Sequence, residues 1–140
     1  MSASFFLDSN IFIYSFDKTS PAKARRCLDL IREAHDSRKG VISFQVIQEF
    51  FSFALRRSVP PMSAAEAGDY LRLVFQPLST VHSSLPIYAE ALHLQSRYRL
   101  SWYDALIVAA AIDADCSVLY SEDLQHGQRF GSTTVKNPFR

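Results

Sequence analysis

The chain opens with a run of apolar residues that three polar residues interrupt. Phe5–Leu7 is apolar, Asp8, Ser9 and Asn10 follow, and the apolar pattern resumes at Ile11. A short apolar run rich in phenylalanine predicts a buried strand. A carboxylate at the end of such a strand is rarely buried unless it is paired or binds a metal. The pattern therefore marks Asp8 as a residue that requires a partner.

Short apolar runs alternate with longer amphipathic stretches along the rest of the chain. The short runs predict further strands at 41–42, 80–81, 116–120 and 133–135, the last of them at an edge of the sheet. The longer stretches predict helices at 9–16, 21–37, 44–55, 64–75, 85–97 and 102–112. Strands that alternate with helices predict an α/β architecture with right-handed crossovers and a mostly parallel sheet.

The helix boundaries rest on residues that favour a helix terminus. Ser9 or Asn10 is suited to cap the first helix, and Ser20 is suited to cap the second. Ser63 begins a capping box for the helix at 64–75. Gly40 is expected to supply the turn that follows the second helix.

The apolar patterns of the helices predict which faces are buried. The helix at 44–55 is apolar around its whole circumference, which predicts deep burial or a partner, and the helix at 102–112 is apolar on nearly every face. One-sided apolar faces are expected on the second and fifth helices, at Ala24, Cys27, Leu28 and Ile31 and at Tyr88, Ala91, Leu92 and Gln95.

The composition is that of a globular chain. Its 140 residues are enough to bury a core, and we expect one domain over residues 1–140. Hydrophobic residues make up 48% and the net charge is +1, so composition alone does not indicate nucleic-acid binding. Cys27 and Cys116 have no metal-ligand spacing and are expected to be reduced core thiols in a cytoplasmic protein. Neither a signal peptide nor a membrane span is expected.

Four acidic residues stand where a parallel sheet would bring them to one edge. Asp8 and Asp123 follow strands. Asp104 lies in the first turn of a helix, and Glu49 lies within an apolar helix. Each also has a simpler explanation, as a turn or cap residue or as an exposed helical acid. Asp123, rather than its neighbour Glu122, is expected to face the site, because adjacent residues after a strand point in different directions.

Taken together, the four carboxylates favour a bound divalent cation. Clustered anions repel one another, and a hard cation neutralises them. Mg²⁺ or Mn²⁺ suits a set of oxygen ligands, whereas zinc would be expected with cysteine or histidine at metal-ligand spacing. The four histidines of the chain are scattered, at His35, His82, His93 and His126.

Four short motifs surround the acids. They are Leu7-Asp8-x-Asn10, Gln48-Glu49-Phe50, Tyr103-Asp104-Ala105-Leu106-Ile107-x-Ala109-Ala110 and Ser121-Glu122-Asp123-Leu124-Gln125-x-Gly127. In this order they resemble the PIN-domain family, and most closely its bacterial VapC-type toxin ribonucleases. The resemblance covers nearly the whole chain, and its two C-terminal motifs are specific only in combination.

The resemblance implies a three-layer α/β/α fold and an endoribonuclease site that depends on Mg²⁺ or Mn²⁺. It also implies that the chain binds a cognate antitoxin protein and forms a homodimer. Four acids would bind the metal and carry catalysis, and two polar residues would hold them in place: Asp8, Glu49, Asp104 and Asp123, with Asn10 and Ser121. Ser9 is expected to support Asp8 in the same way.

Contacts to RNA are expected from residues outside the acids. Arg25, Arg56 and Arg99 are candidates for phosphate contacts, and Trp102 is a candidate for stacking on a base. Such contacts suit single-stranded or loop RNA. A solvated helix face or a helix-end charge is the better explanation for most of the arginines, and packing is the better explanation for Trp102.

Two other functions fit parts of the pattern. One is a PIN fold that binds RNA without cutting it, which the complete set of acids disfavours. The other is a receiver-like signalling module that binds Mg²⁺. A receiver-like module would need an acidic pair after the first strand, where Asp8 stands alone, and a lysine near the last strand, where Lys136 lies close to the C-terminus.

Overall fold

The computed structural model describes residues 4–140, and within them six strands form one sheet. The strands are β1 Phe5–Leu7, β2 Gly40–Ser43, β3 Ser79–Val81, β4 Val118–Tyr120, β5 Arg129–Phe130 and β6 Thr133–Lys136. The helices are α1 Ser9–Tyr14, α2 Pro21–Ser37, α3 Phe44–Ala54, α4 Ala64–Tyr70, α5 Leu85–Tyr98 and α6 Trp102–Asp113, with a π-helical segment at Leu71–Phe75. The strand order is β3-β2-β1-β4-β6-β5.

The order of the strands reverses beside β1. The chain builds the sheet outward from β1 through β2 to β3, and then returns to place β4 on the other side of β1. All pairings are parallel except that of β5 with β6. In open α/β sheets, ligands bind beyond the carboxyl ends of the strands at such a reversal. The fold therefore points to the ends of β1 and β4 as the position of a site.

The central strands are buried by helices. Phe6, Leu7, Ile42 and Leu119 have no exposed surface, as expected for a parallel sheet that helices cover. α2 packs against β2, and α6 packs against both β2 and β4. The predicted three-layer α/β/α class with a mostly parallel sheet is confirmed.

The C-terminal hairpin differs from the prediction. The segment from Gly127 to Gly131, where no strand was predicted, contains β5, which pairs antiparallel with β6. β6 is therefore not at the edge of the sheet, because it lies between β4 and β5. A strand of two residues is too short to leave a periodic pattern in the sequence.

The helix predicted at 64–75 consists of two segments. Ser63 and Glu66 form the expected capping box at its start, but α4 ends at Tyr70 and the π-helical segment follows. A π-helical turn holds one residue more than an α-helical turn. It changes the direction of the following side chains, and Phe75 at its end is buried in the core.

Gly40 has a different role from the one predicted. Arg38, and not Gly40, adopts the left-handed conformation that ends α2, with φ of 61°. Gly40 begins β2, and a Cβ atom there would collide with the Cβ atom of Ala34. Glycine at this position therefore permits α2 to approach the sheet closely.

Three helices are more exposed than their patterns predict. α3 buries only one side, with Val46, Phe50 and Ala54 in the core. Leu28 on α2 and Leu92 on α5 are exposed, although both were predicted on buried faces. The buried positions of these two helices are Cys27, Leu30, Ile31 and Ala34, and Ile87, Ala91 and Leu94.

Cys27 and Cys116 are buried and form no disulfide, as predicted. Across residues 4–140, none of the helices combines the length and the apolar character needed to cross a bilayer.

Candidate active site

Asp8 lies at the junction of β1 and α1. Its N–H donates to the carbonyl of Tyr120 at 3.1 Å, which ties the end of β1 to β4. Its Oδ1 accepts the N–H of Ser9 at 2.7 Å, so Asp8 is the N-cap of α1. The prediction that Ser9 or Asn10 caps this helix is wrong, because both residues lie within it. The residue is only 4% exposed.

Ser121 holds the second oxygen of Asp8. It follows β4 and is completely buried, and its Oγ donates to Asp8 Oδ2 at 2.7 Å. The same Oγ accepts the N–H of Asp123 at 3.2 Å. One hydroxyl group therefore fixes the carboxylate after β1 and the backbone of the acid after β4.

The surroundings of Asp8 disfavour its ionised form. Burial raises the pKa of Asp8 to about 7, against hydrogen bonds from Ser121 and Ser9 that lower it. The negative charges of Glu49 and Asp123 raise this pKa further. In the described chain no lysine or arginine forms an ion pair with Asp8. A buried carboxylate without a cation is costly, so this group is suited to bind one.

Glu49, in the middle of α3, is oriented from two sides. Ser9 Oγ donates to Glu49 Oε1 at 2.9 Å and also lies 3.4 Å from Asp8 Oδ1. Gln45 Nε2 donates to Glu49 Oε2 at 3.3 Å and to the carbonyl of Tyr103 at 3.1 Å. Ser9 therefore bridges two acids, and Gln45 connects α3 to the start of α6.

Asp104 lies in the first turn of α6, and Ser101 caps this helix by accepting the N–H of Asp104 at 3.1 Å. Partial burial raises the pKa of the Asp104 carboxyl, the Ser101 hydroxyl opposes this, and the charge of Asp123 adds to it.

The neighbours Glu122 and Asp123 have different surroundings. Glu122 accepts a hydrogen bond from Tyr14 at 3.1 Å and pairs with Lys23 Nζ at 2.7 Å. Asp123 is exposed, and across residues 4–140 its carboxylate has no hydrogen-bond donor or ion-pair partner. Its charge raises the pKa of Asp8 and of Asp104, as a nearby like charge does.

We call Asp8, Glu49, Asp104 and Asp123 the acidic rim. Its members interact through their charges. The charges of Glu49 and Asp123 raise the pKa of Asp8, and the charge of Asp123 raises the pKa of Asp104. Within the described part of the chain, no three Asp, Glu, His or Cys side chains are close enough to form a ready-made metal site. All four side chains of the acidic rim offer carboxylate oxygens, which are the ligands that Mg²⁺ and Mn²⁺ prefer. The Asp8 carboxylate is also buried without a cationic partner in the described chain.

Asn10 is buried, but neither its side-chain nitrogen nor its oxygen has a hydrogen-bond partner within residues 4–140. It therefore makes no hydrogen bond to the acids in this structure, and its support of them stays a prediction. Gln45, Tyr14 and Lys23 were not identified from the sequence as site residues. Each of them acts through a contact with a residue 58 or more positions away, apart from the Gln45–Glu49 contact within one helix.

The predicted RNA-contacting residues lie at the surface or near it. Arg25, Arg56 and Arg99 are exposed and make no ion pair with any residue of the described chain. Trp102 is partly buried and stacks on Tyr88, with ring centroids 6.2 Å apart.

Comparison with known structures gives similar folds at low sequence identity. A toxin–antitoxin complex from Klebsiella pneumoniae matches with a TM-score of 0.68 and 19% identity, over 96% of this chain and 98% of that one. VapC20 of Mycobacterium tuberculosis, a toxin that cleaves the sarcin–ricin loop, matches with a TM-score of 0.61 and 15% identity, over 84% and 88%. VapBC2 of Rickettsia felis, bound to a DNA fragment of its promoter, matches with a TM-score of 0.65 and 17% identity, over 95% and 97%.

A search of curated proteins finds no match. The strand order also differs from the 2-1-3-4-5 order of receiver-like folds, which removes the support for that alternative. The family profile of the PIN domain matches residues 5–129, which is most of the chain. The chain therefore belongs to the PIN-domain family, whose members are generally nucleases, as its sequence motifs predicted.

Proposed function

We propose that this chain is an endoribonuclease that depends on Mg²⁺ or Mn²⁺ and acts as the toxin of a toxin–antitoxin pair. Its substrate is single-stranded or loop RNA. The observation that carries the proposal is Asp8, a buried carboxylate at the sheet reversal, held by two hydrogen bonds and without a cationic partner in the described chain.

The acidic rim is the proposed metal site. Asp8, Asp104 and Asp123 would bind the ion directly, and Glu49 would bind it or orient water. When bound, a divalent cation supplies Lewis-acid stabilisation of negative charge on the phosphoryl group and lowers the pKa of water. Glu49 is held by hydrogen bonds from Ser9 and Gln45.

The other residues of the site act by holding these acids. Ser121 and the Ser9 backbone fix both oxygens of Asp8, which limits its rotation. Lys23 and Tyr14 hold Glu122 away, so Asp123 is the uncommitted acid of this pair. Burial of Asp8 at the base of the site lowers the local dielectric constant, which strengthens its attraction for a cation.

The toxin role and the partners rest on family membership and on the similar structures. The Klebsiella protein and VapBC2 are toxin–antitoxin complexes, and VapC20 cleaves an RNA loop. Exposed apolar side chains on α5, at Leu85 and Leu92, support a protein interface. We propose an antitoxin and a second copy of the chain as partners. Light scattering after size exclusion should give a dimer mass; a monomer at micromolar concentration would contradict the homodimer.

The test is to map the RNA ends produced by purified protein with Mg²⁺ or Mn²⁺. We expect defined new ends from the wild type and none from Asp8→Asn. Asp36→Asn, at an exposed position on α2, is the matched control and should cleave like the wild type. Undiminished cleavage by folded Asp8→Asn would refute the role of the acidic rim. RNA binding by the wild type without cleavage would instead favour the alternative of a non-catalytic RNA-binding PIN fold.

A further inference from the structure

A cavity of about 370 Å³ lies beside the acidic rim, at the carboxyl ends of β2 and β3. Ser43, the last residue of β2, and Val81, the last residue of β3, both line it. α3 contributes Gln45 and Gln48, and α6 contributes Trp102 and Tyr103. We call it the β2–β3 cavity. Its volume is in the range of pockets that bind small organic groups.

The β2–β3 cavity is lined by aromatic and polar side chains, with His82 among them. Among the described residues that line it there is no Asp, Glu, Lys or Arg. The rings of Trp102 and Tyr88 are inclined to each other by 27°, and Tyr103 is 63% exposed. Two amide side chains, Gln45 and Gln48, add donors and acceptors. Such a lining suits a flat, uncharged group with polar edges better than it suits a phosphate.

Ser43 gives a second indication of a ligand. The residue is 6% exposed, and its Oγ has no hydrogen-bond partner within residues 4–140. A buried hydroxyl without a partner is unfavourable, because it has lost its hydrogen bonds to water. Ser43 also lines the cavity, so a polar ligand edge toward which this buried hydroxyl turns would give it a partner.

Two lining residues connect the cavity to the acidic rim. Gln45 Nε2 donates to Glu49 Oε2 at 3.3 Å and to the Tyr103 carbonyl at 3.1 Å. Tyr103 immediately precedes Asp104 in α6. A group bound in the cavity therefore sits next to residues that hold or adjoin two of the four acids.

We propose that the β2–β3 cavity is a binding subsite for one unpaired nucleobase of the RNA. The base stacks on the aromatic side chains at the start of α6, and Ser43 and Gln48 contact its polar edge. The subsite positions the adjoining phosphodiester at the acidic rim and so sets a base preference next to the cleaved bond. This inference rests on the proposed ribonuclease function and deepens it.

The test uses Trp102, which is the only tryptophan of the chain and therefore gives a single indole N–H signal in a ¹⁵N-labelled sample. The four ribonucleoside 5′-monophosphates are titrated in EDTA, with ribose 5-phosphate as the ligand that lacks a base. We expect at least one nucleotide to shift the indole signal in a saturable manner, and ribose 5-phosphate to leave it in place. No shift at about 10 mM nucleotide, or equal shifts with ribose 5-phosphate, would overturn the proposal.

A serine variant separates binding from folding. Ser43→Ala removes a buried, unpartnered hydroxyl, so the thermal midpoint should stay equal or rise while the Kd for the nucleotide increases about 3- to 10-fold. Ser52→Ala, at an exposed position on α3, should change neither value. Unchanged affinity in Ser43→Ala would contradict the proposed contact.

A competing occupant would be a second copy of the chain. If so, the indole signal would depend on protein concentration without nucleotide and would not respond to nucleotide, and the proposal would be wrong. Because the titration contains no metal, its outcome is independent of catalysis. A base-dependent shift of the indole signal without any RNA cleavage would support the subsite and reject the nuclease function. RNA cleavage without a base-dependent shift would reject the subsite alone.

Discussion

The acidic rim and the β2–β3 cavity lie side by side at the carboxyl edge of the sheet, and the same helices build both. α3 contributes Glu49 to the rim and Gln48 to the cavity. α6 contributes Asp104 to the rim and Trp102 and Tyr103 to the cavity. The rim contains four carboxylates and has no cation within the described chain that pairs with Asp8, whereas the described residues that line the cavity include no acid, lysine or arginine.

This difference in charge matches the two parts of a nucleotide. A phosphodiester group beside carboxylates requires a cation between them, while a base requires stacking surfaces and hydrogen-bonding groups. On α6 the two regions are adjacent in sequence, since Tyr103 lines the cavity and the next residue, Asp104, belongs to the acidic rim. Variants that alter one region should leave the other intact.

Of the two acids that follow β4, Asp123 is expected to have the far larger effect on cleavage. Asp123→Asn should lower metal-dependent RNA cleavage about 100-fold or more, because it removes a charge from the rim. Glu122→Gln should keep cleavage within about threefold, since Glu122 pairs with Lys23 and stability changes by only about 0–1 kcal/mol for such a pair. Single-turnover rates measure both. Equal losses in the two variants would break the assignment of Asp123 to the rim.

The metal-free stability of Asp8→Asn should move in the opposite direction to its activity. Because the pKa of Asp8 is raised to about 7 in the folded protein, its ionised form destabilises the fold. This destabilisation is absent below the unfolded pKa near 4, grows through pH 4–7 and is complete above pH 7. Asp8→Asn in EDTA should therefore be more stable than the wild type by a few kcal/mol at pH 8, and the difference should vanish near pH 4. Urea unfolding at both pH values measures it, and a less stable variant at pH 8 would contradict the burial argument.

A smaller effect is expected from the hydroxyl that positions Asp8. Ser121→Ala should reduce cleavage about 10- to 100-fold, as loss of a residue that orients a metal ligand does. The nucleotide-induced shift of the Trp102 signal should persist, because Ser121 does not line the cavity. Ser117→Ala, on the same stretch of chain and outside the rim, is the matched control. Simultaneous loss of both readouts would show that the two regions are not separable.

The smallest effects are expected from the exposed arginines. Replacement of Arg25, Arg56 or Arg99 by alanine should weaken RNA binding a few-fold and flatten the slope of log K against log salt by about 0.7 for each lost phosphate contact. Neither cleavage at saturating RNA nor base preference should change. Fluorescence anisotropy over a range of salt concentrations tests this. An unchanged slope for a variant would exclude that arginine from phosphate contact.

The fold was largely predictable because its signals are local. The apolar runs of β1, β2 and β4 and the capping box at Ser63 are contained within a few residues each. The errors arise where tertiary contacts decide. The π-helical segment orients Phe75 toward the core, and Gly40 is required by Ala34 of another element.

The site was predictable at its acids and less so at its supports. Asp8 stands out because it interrupts an apolar run, and Asp104 and Asp123 stand at a helix start and a strand end. The contact of Gln45 with the Tyr103 carbonyl spans 58 positions, and that of Tyr14 with Glu122 spans 108. No pattern in the sequence encodes such pairings, and the cavity beside the rim exists only after α3, α5 and α6 are assembled.

We propose that the acidic rim binds a divalent cation, and the most direct test of this proposal is Mn²⁺ binding measured by electron paramagnetic resonance. We expect saturable uptake of Mn²⁺ by the wild type and by Asp36→Asn, and at least tenfold weaker uptake, about 1.4 kcal/mol or more, by Asp8→Asn. Identical binding curves for the wild type and a folded Asp8→Asn variant would contradict it.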